Sequence, residues 1–244
     1  MPGLVPGKIA DLPLQGSRGI NYQDVIVMGL TLRVLIILGL VIAVLFGSAG
    51  RWDLPFFWAF LGILVVFLLS FRMLTDPGLQ QERVGPSSGR SKSRAFRLAV
   101  APLVLGLLVV AGLDAGRFHW SAVPFSVQVA SLVGLGAALS LMLWAMAVNR
   151  FFSPAIYIQS ERGHHVITGG PYRFIRHPGY LAMTLIFGFG ALALGSWWAL
   201  LPAAGYALLI LNRASREDQF LQAELPGYAD YARRVRYRVL PGFW

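Results

Sequence analysis

The chain contains no cysteine, and this absence narrows its chemistry. It excludes disulfide bonds, thiol nucleophiles and metal sites built from cysteine thiolates. Charged residues are also scarce, since they make up 13% of the 244 residues against about 25% in ordinary soluble domains. Hydrophobic residues make up 56%, which exceeds the usual range of about 45 to 50%. This balance is typical of an integral membrane protein.

Long apolar runs support that interpretation, because about 20 apolar residues cross a hydrocarbon core of roughly 30 Å. Four runs meet or approach this length, and a fifth has 32 uncharged residues and a natural break at Gly195-Ser196. The fifth run is too long for one crossing and predicts a helical hairpin with short arms. We therefore expect an all-α integral membrane protein with about six transmembrane helices, over residues 25–47, 54–69, 98–113, 123–148 and the two arms of 180–211.

Basic residues are distributed unequally among the predicted loops. Of the 21 Lys and Arg residues, eighteen flank the termini and two of the connections, Arg33 lies inside the first helix, and only Arg51 and Arg117 fall on the opposite side. Because cytoplasmic loops carry the excess of Lys and Arg, both termini and the loop after the fourth helix are predicted to be cytoplasmic. Attraction to anionic membrane lipids accounts for the net charge of +10. The spread of this charge over separate loops disfavours nucleic-acid binding, and no obligate protein partner is evident.

The chain is predicted to have two parts. Residues 1–122 would hold the first three helices and a flexible basic loop at 72–97, and residues 123–244 hold most of the unusual polar residues. In the second part, the period-two runs 155–159 and 165–168 predict a small hairpin or an extended loop on the cytoplasmic face. The last long helix should continue beyond the membrane until Pro226-Gly227 stops it.

The first polar cluster is GGPYRFIRHPGY, residues 169–180. The Gly-Gly-Pro sequence predicts a tight turn, and Pro178 is well suited to the first turn of a helix. The amides at that helix start could bind a carboxylate or phosphate, with Arg173, Arg176 and His177 adding positive charge. Taken singly, the arginines could equally be membrane anchors. The combination of a turn, a histidine and a proline-initiated helix favours a binding site.

The second cluster is NRASREDQFL, residues 212–221. Arg213 and Glu217 are four residues apart, a spacing that predicts an ion pair within the helix. Asp218 interrupts an apolar stripe, which indicates either an irregular helix end or a group that faces a polar cavity. Because both clusters flank one hairpin, we expect them to form a site for a zwitterionic ligand. His164-His165 lacks further ligands at suitable spacing, so no metal site is predicted.

The motifs GHHVITGGPYRFIRHPGY and REDQFLQAELPGYADYARRV resemble the C-terminal core of the isoprenylcysteine carboxyl methyltransferase and phospholipid methyltransferase superfamily. The resemblance covers residues 149–244 and departs from the usual Glu-Glu pair at Glu217-Asp218. It implies a membrane-embedded methyltransferase in which the helical hairpin binds S-adenosyl-L-methionine on the cytoplasmic face, releasing S-adenosylhomocysteine. It also implies an acceptor tunnel that is open to membrane lipids.

The resemblance assigns roles by motif position. Arg213 and Asn149 would face the acceptor as the catalytic residues, and Glu217 and Asp218 would bind the amino or ribose groups of the cofactor. The remaining residues that would shape the cofactor pocket are His165, Tyr172, Arg176, His177, Pro178 and Tyr180.

The acceptor and two alternative functions stay open at this stage. A prenylcysteine carboxylate, a lipid headgroup, a quinone-like lipid and a small apolar thiol or amine would each suit an apolar tunnel. The tail YADYARRVRYRVLPGFW also resembles the end of sterol reductases, which suggests a membrane enzyme that uses NADPH. The sequence Arg176-His177-Pro178 favours the methyltransferases. A membrane scaffold without catalysis is the third possibility.

Overall fold

A computed structural model describes residues 22–74, 94–242 and 244, and in these residues the protein is built of helices without strands. The predicted basic loop lies largely in 75–93, outside the described residues. The helices are α1 (Tyr22–Ala49), α2 (Pro55–Leu74), α3 (Arg94–Gly112), α4 (Phe125–Val148), α5 (Pro178–Ala193), α6 (Leu200–Glu224) and α7 (Tyr228–Arg234).

Among the described residues, four helices are long and apolar enough to cross a membrane. They are α1 over Thr31–Ala49, α2, α3 with the π-helical turn Leu113–Phe118 that continues it, and α4. The prediction of a multi-pass, all-helical membrane protein is confirmed for the described residues. The predicted count of six spans is not confirmed. The 16 residues of α5 extend only about 24 Å, which is less than the hydrocarbon core of roughly 30 Å.

The predicted hairpin is present as α5 and α6. The chain turns between them at Gly195, whose φ of +76° suits glycine. As predicted, α6 runs well past the apolar segment and ends at Glu224, just before Pro226-Gly227. The hairpin packs against α4 through α5 and against α3 through α6. The proposed division at residue 122 stays a prediction.

A buried carboxylate holds the closed end of the hairpin. Asp114, fully buried, accepts hydrogen bonds from the Ser121 amide at 2.8 Å, the Ser121 hydroxyl at 2.5 Å and the Ser196 hydroxyl at 2.6 Å. These bonds tie the α3–α4 connection to the α5–α6 turn. Sequence reasoning gave Asp114 no role.

Residues 149–177, between α4 and α5, form an extended loop with two 3-10 turns, Ser160–Arg162 and Gly170–Arg173. The hairpin offered as one interpretation of this segment is wrong, since none of its described residues is in a strand. Hydrogen bonds from side chains to the backbone hold this loop in place of strand pairing. Arg150 and Arg162 each donate to the carbonyl of the other, and Gln159 donates to the carbonyl of Phe151. This segment, the cap loop, covers the open end of the hairpin.

Candidate functional site

A cavity of about 210 Å³ lies under the cap loop where α5 begins and α6 leaves the bundle. The cap loop, the first turns of α5, one stripe of α6 and α7 line it. Pro178 and Asp218 lie behind its wall. The other eight site residues predicted from the sequence line the cavity together: Asn149, His165, Tyr172, Arg176, His177, Tyr180, Arg213 and Glu217.

Asp218 is the centre of a buried ionic cluster. Its side chain is fully buried, and Arg176 binds both carboxylate oxygens, with Nε–Oδ1 2.7 Å and Nη2–Oδ2 3.0 Å. Both oxygens have further donors, which are Tyr228 Oη at 3.0 Å, Gln222 Nε2 at 2.8 Å, Arg238 Nε at 3.1 Å and His177 Nε2 at 3.2 Å. With its oxygens occupied by protein groups, Asp218 shapes the cavity by holding its walls.

Electrostatics keep this cluster charged. Burial alone would raise the pKa of Asp218, but hydrogen bonds from His177 and Arg176 and their charges outweigh it and hold that pKa well below its usual range. Burial, together with the negative charge of Asp218, raises the pKa of Tyr228. The Tyr228 hydroxyl therefore stays protonated and donates to the carboxylate. This cluster explains why a charged residue interrupts the apolar stripe of α6.

Arg176 also anchors the C-terminal tail. Its Nη1 donates to the carbonyls of Val235 at 2.7 Å and Arg236 at 2.9 Å, and its amide donates to the carbonyl of Tyr237. The amide of His177 donates to the carbonyl of Arg238 at 2.8 Å. Arg176 is only 7% exposed, so the membrane-anchor interpretation does not apply to it. Arg173 is exposed and is compatible with an anchor.

A second cluster lies on the cavity wall around Tyr180. Its hydroxyl accepts from Arg213 Nε at 2.9 Å and donates to Glu217 Oε2. The predicted ion pair between Arg213 and Glu217 is wrong, because the tyrosine hydroxyl stands between them. Arg213 also donates to the carbonyl of Pro154 at 2.5 Å and lies over the Phe96 ring at 4.2 Å. The half-buried Glu217 has no other hydrogen-bond partner in the described part of the chain, so its Oε1 can accept from a ligand.

The cap loop is organised around Phe151, which is buried. The guanidinium of Arg150 lies 4.9 Å from the ring centroid, and the His164 ring lies 4.5 Å from it. His164 Nδ1 accepts from the Gln159 amide at 3.3 Å. Burial and the neighbouring positive charges lower the pKa of His164, so this imidazole is neutral at pH 7. His164 and Gln159 both line the cavity. Sequence reasoning considered the His164-His165 pair as a loop feature or a wall of the pocket, and it did not select Gln159.

Asn149 and Tyr172 connect the cap loop to the end of α4. Asn149 Oδ1 accepts from the Phe151 amide at 2.9 Å, and its Nδ2 donates to the Tyr172 hydroxyl at 3.1 Å. The Tyr231 hydroxyl donates to the Tyr172 carbonyl at 2.7 Å. The exposed His165 donates from Nδ1 to the Gly163 carbonyl at 2.9 Å. Across residues 22–74 and 94–242, no group of three or more His, Asp or Glu side chains could hold a metal ion.

The fold and the site define a multi-pass membrane protein with a ligand-sized cavity at one end of its helical bundle. A sequence profile of the isoprenylcysteine carboxyl methyltransferase family matches residues 130–223, which include the start of α5 and most of α6. The chain belongs to this family, as the motif resemblance predicted.

Two relatives have been named for metal resistance. The cobalt-zinc-cadmium resistance protein CzcN of Cupriavidus metallidurans is 30% identical over 162 residues, which are 62% of this chain and 70% of the relative. The nickel-cobalt-cadmium resistance protein NccN of Alcaligenes xylosoxydans xylosoxydans is 28% identical over 153 residues, 62% of this chain and 67% of the relative.

Proposed function

We propose that the protein transfers a methyl group from S-adenosyl-L-methionine to a lipophilic acceptor. One observation carries this proposal: the residues that line a single cavity are polar around Tyr180, Arg213 and Glu217 and more apolar further along the hairpin. We infer from this a polar outer part, an apolar inner end and a junction at these three residues. The inner end is lined by Met183 of α5 and Tyr206 of α6. Two reactants of opposite polarity could therefore meet at the junction.

The outer part fits the cofactor chemically. The free Oε1 of Glu217 suits an ammonium or ribose hydroxyl group, and His177 lines the same cavity at the start of α5. Leu221, Leu225 and Tyr228 offer an apolar and aromatic wall that suits a flat base. When bound, S-adenosyl-L-methionine supplies an activated methyl group, so the protein needs few reactive side chains of its own.

The contribution of the protein is to position the reactants and exclude water. Arg213 is fixed by the Tyr180 hydroxyl, the Pro154 carbonyl and the Phe96 ring, which leaves its Nη1 available. A guanidinium held in this way can orient an anionic acceptor, and such an acceptor needs no general base. Good positioning can contribute on the order of 7 to 11 kcal/mol to a two-reactant step. We accordingly place Arg213 on the acceptor side and Glu217 on the cofactor side.

The test is calorimetric titration of the detergent-purified protein with S-adenosylhomocysteine, with NADPH as the competing ligand. We expect S-adenosylhomocysteine to bind and Glu217→Gln to weaken binding by about tenfold or more, because a charged hydrogen bond contributes roughly 1.5 to 3 kcal/mol. Glu224→Gln, an exposed site on the same helix, is the matched control and should bind normally. Binding of NADPH without S-adenosylhomocysteine would favour the reductase alternative and refute the proposal.

A further inference from the structure

We infer that the acceptor of this protein is compact, because a stacked aromatic pair, Phe187–Tyr206, closes the inner end of the cavity. We call the space between Arg213 and Tyr206 the acceptor compartment. Phe96 and Met183 form its walls. Its interpretation as an acceptor site depends on the proposed methyl transfer. Its closure depends only on the packing of α3, α4, α5 and α6.

The depth of the compartment follows from the residues that line it. On α6 they are Arg213 and Tyr206, seven positions apart, which corresponds to about 10 Å along a helix. On α5 the lining stops at Met183, in the second turn. The compartment therefore ends about two helical turns below Arg213.

The end of the compartment is solid. The rings of Phe187 and Tyr206 are parallel within 7°, with centroids 3.6 Å apart, and Tyr206 is 7% exposed. Beyond the stack, Ala203 is 4% exposed and Ala191 is fully buried, and both belong to the main hydrophobic core. A longer acceptor could not continue straight along the hairpin without displacing the stack.

The neighbouring helices close the sides at the same level. Between α3 and α6, a Cβ at Gly205 would lie 3.1 Å from Leu103 Cδ2, so the two helices are in close contact there. Toward α4, Ala182 is fully buried and packs with Met142 and Met146. A short apolar group ending in an anionic nucleophile fits a compartment with these walls, with its nucleophile near Arg213. An acyl or prenyl chain that extends toward the α5–α6 turn does not fit.

The absence of cysteine allows a direct test. In Met183→Cys, the only thiol of the chain lies inside the compartment, and it is treated with methyl, butyl and dodecyl methanethiosulfonates in detergent. The rate at which each reagent modifies Met183→Cys is divided by the rate at which it modifies Ser160→Cys, an exposed position in the cap loop. We expect the dodecyl reagent to react roughly tenfold or more slowly than the methyl reagent, since forcing extra methylenes into a packed space is costly.

Removing the stack should abolish this length dependence. Adding Tyr206→Ala or Phe187→Ala to Met183→Cys should raise the dodecyl rate toward the methyl rate, whereas Tyr206→Phe keeps a ring and should leave it low. Equal rates for all reagents with the stack intact would overturn the inference, as would failure of the methyl reagent to react. Titration with S-adenosylhomocysteine separates the two proposals: binding without length dependence refutes only the compact acceptor. Length dependence without binding refutes the methyl transfer, and with it the acceptor role, but confirms that the compartment is closed.

Discussion

At the residue scale, the cavity depends on a carboxylate that does not line it. Asp218 forms ion pairs with Arg176 and Arg238 and accepts hydrogen bonds from His177 and Tyr228, so elements distant in sequence converge on one buried side chain. An ion pair in this setting is costly to form, and it is still more costly to break by removing one partner. Asp218 is therefore expected to control both the stability and the shape of the site.

Replacing Asp218 with asparagine keeps the volume and removes the charge. We expect Asp218→Asn to lower the free energy of unfolding by about 3 to 5 kcal/mol, because it leaves the buried Arg176 without a counter-charge. The matched control is Asp230→Asn, which removes the same charge from an exposed pair with Arg233 and should change stability by less than about 1 kcal/mol. Thermal unfolding in detergent, followed by circular dichroism, measures both. Equal losses of stability in the two variants would show that the buried cluster contributes no more than the exposed pair.

The lowered pKa of Asp218 also predicts a pH dependence. Since the folded pKa lies below the unfolded value of about 4, the cluster contributes its full stabilisation above that pH. The contribution is lost progressively as the pH falls toward the folded pKa, because the unfolded state then binds a proton more readily. Unfolding temperatures measured from pH 6 down to pH 3 should fall more steeply for the wild-type protein than for Asp218→Asn. If the unfolding temperatures of the two proteins fell in parallel with pH, the result would contradict a lowered pKa for Asp218 in the folded state.

The residues of the site differ in how far their roles could be predicted from the sequence. Arg176, His177, Tyr180 and Glu217 could be selected because they belong to two compact motifs, and the structure brings them to one cavity. The polar environment of Asp218 was indicated by the broken apolar stripe. Its partner Arg238 could not be foreseen, because that contact depends on how the C-terminal tail folds back. The lowered pKa of His164 could not be foreseen either, because it depends on burial in the folded loop.

At the element scale, helices were easier to predict than the loop between them. Apolar runs and Pro or Gly residues define helices through local interactions, and α6 ends beside Pro226-Gly227 as expected. The cap loop instead depends on side-chain to backbone bonds from Arg150, Arg162 and Gln159. Such bonds leave no repeating pattern in the sequence, so a period-two run was mistaken for a possible hairpin.

Close helix packing at the end opposite the site gives a prediction about glycine. A Cβ at Gly116 would lie 2.6 Å from Ala49 Cα, so α1 meets the α3 extension backbone to backbone. Gly116→Ala should destabilise the protein by about 1 to 3 kcal/mol through overpacking. Gly188→Ala on α5, where a Cβ has open space, should be neutral or stabilising by up to about 1 kcal/mol. Unfolding temperatures in detergent test both, and a neutral Gly116→Ala would mean that α1 is free to shift.

At the scale of the whole molecule, exposed aromatic residues indicate how the bundle sits in a bilayer. Phe125 and Trp144 are 72% and 49% exposed and lie nineteen positions apart on α4, or about 28 Å. This separation matches a hydrocarbon core of roughly 30 Å, with aromatic residues at both boundaries. Gly170, in the turn before α5, lies against Trp144. We therefore expect the site to lie at the level of one membrane surface, with the proposed acceptor compartment extending into the apolar layer.

Single cysteines can test whether the site faces the cytoplasm or the outside of the cell. The charge asymmetry predicts that the site faces the cytoplasm. In intact cells, a membrane-impermeant maleimide should then label Ala122→Cys, exposed at the opposite end of the bundle, but label Ser160→Cys in the cap loop only after permeabilisation. The cysteine-free parent chain should give no signal under either condition. The reverse pattern would place the cavity outside the cell, away from the intracellular supply of S-adenosyl-L-methionine, and would count against both the topology and the methyl transfer.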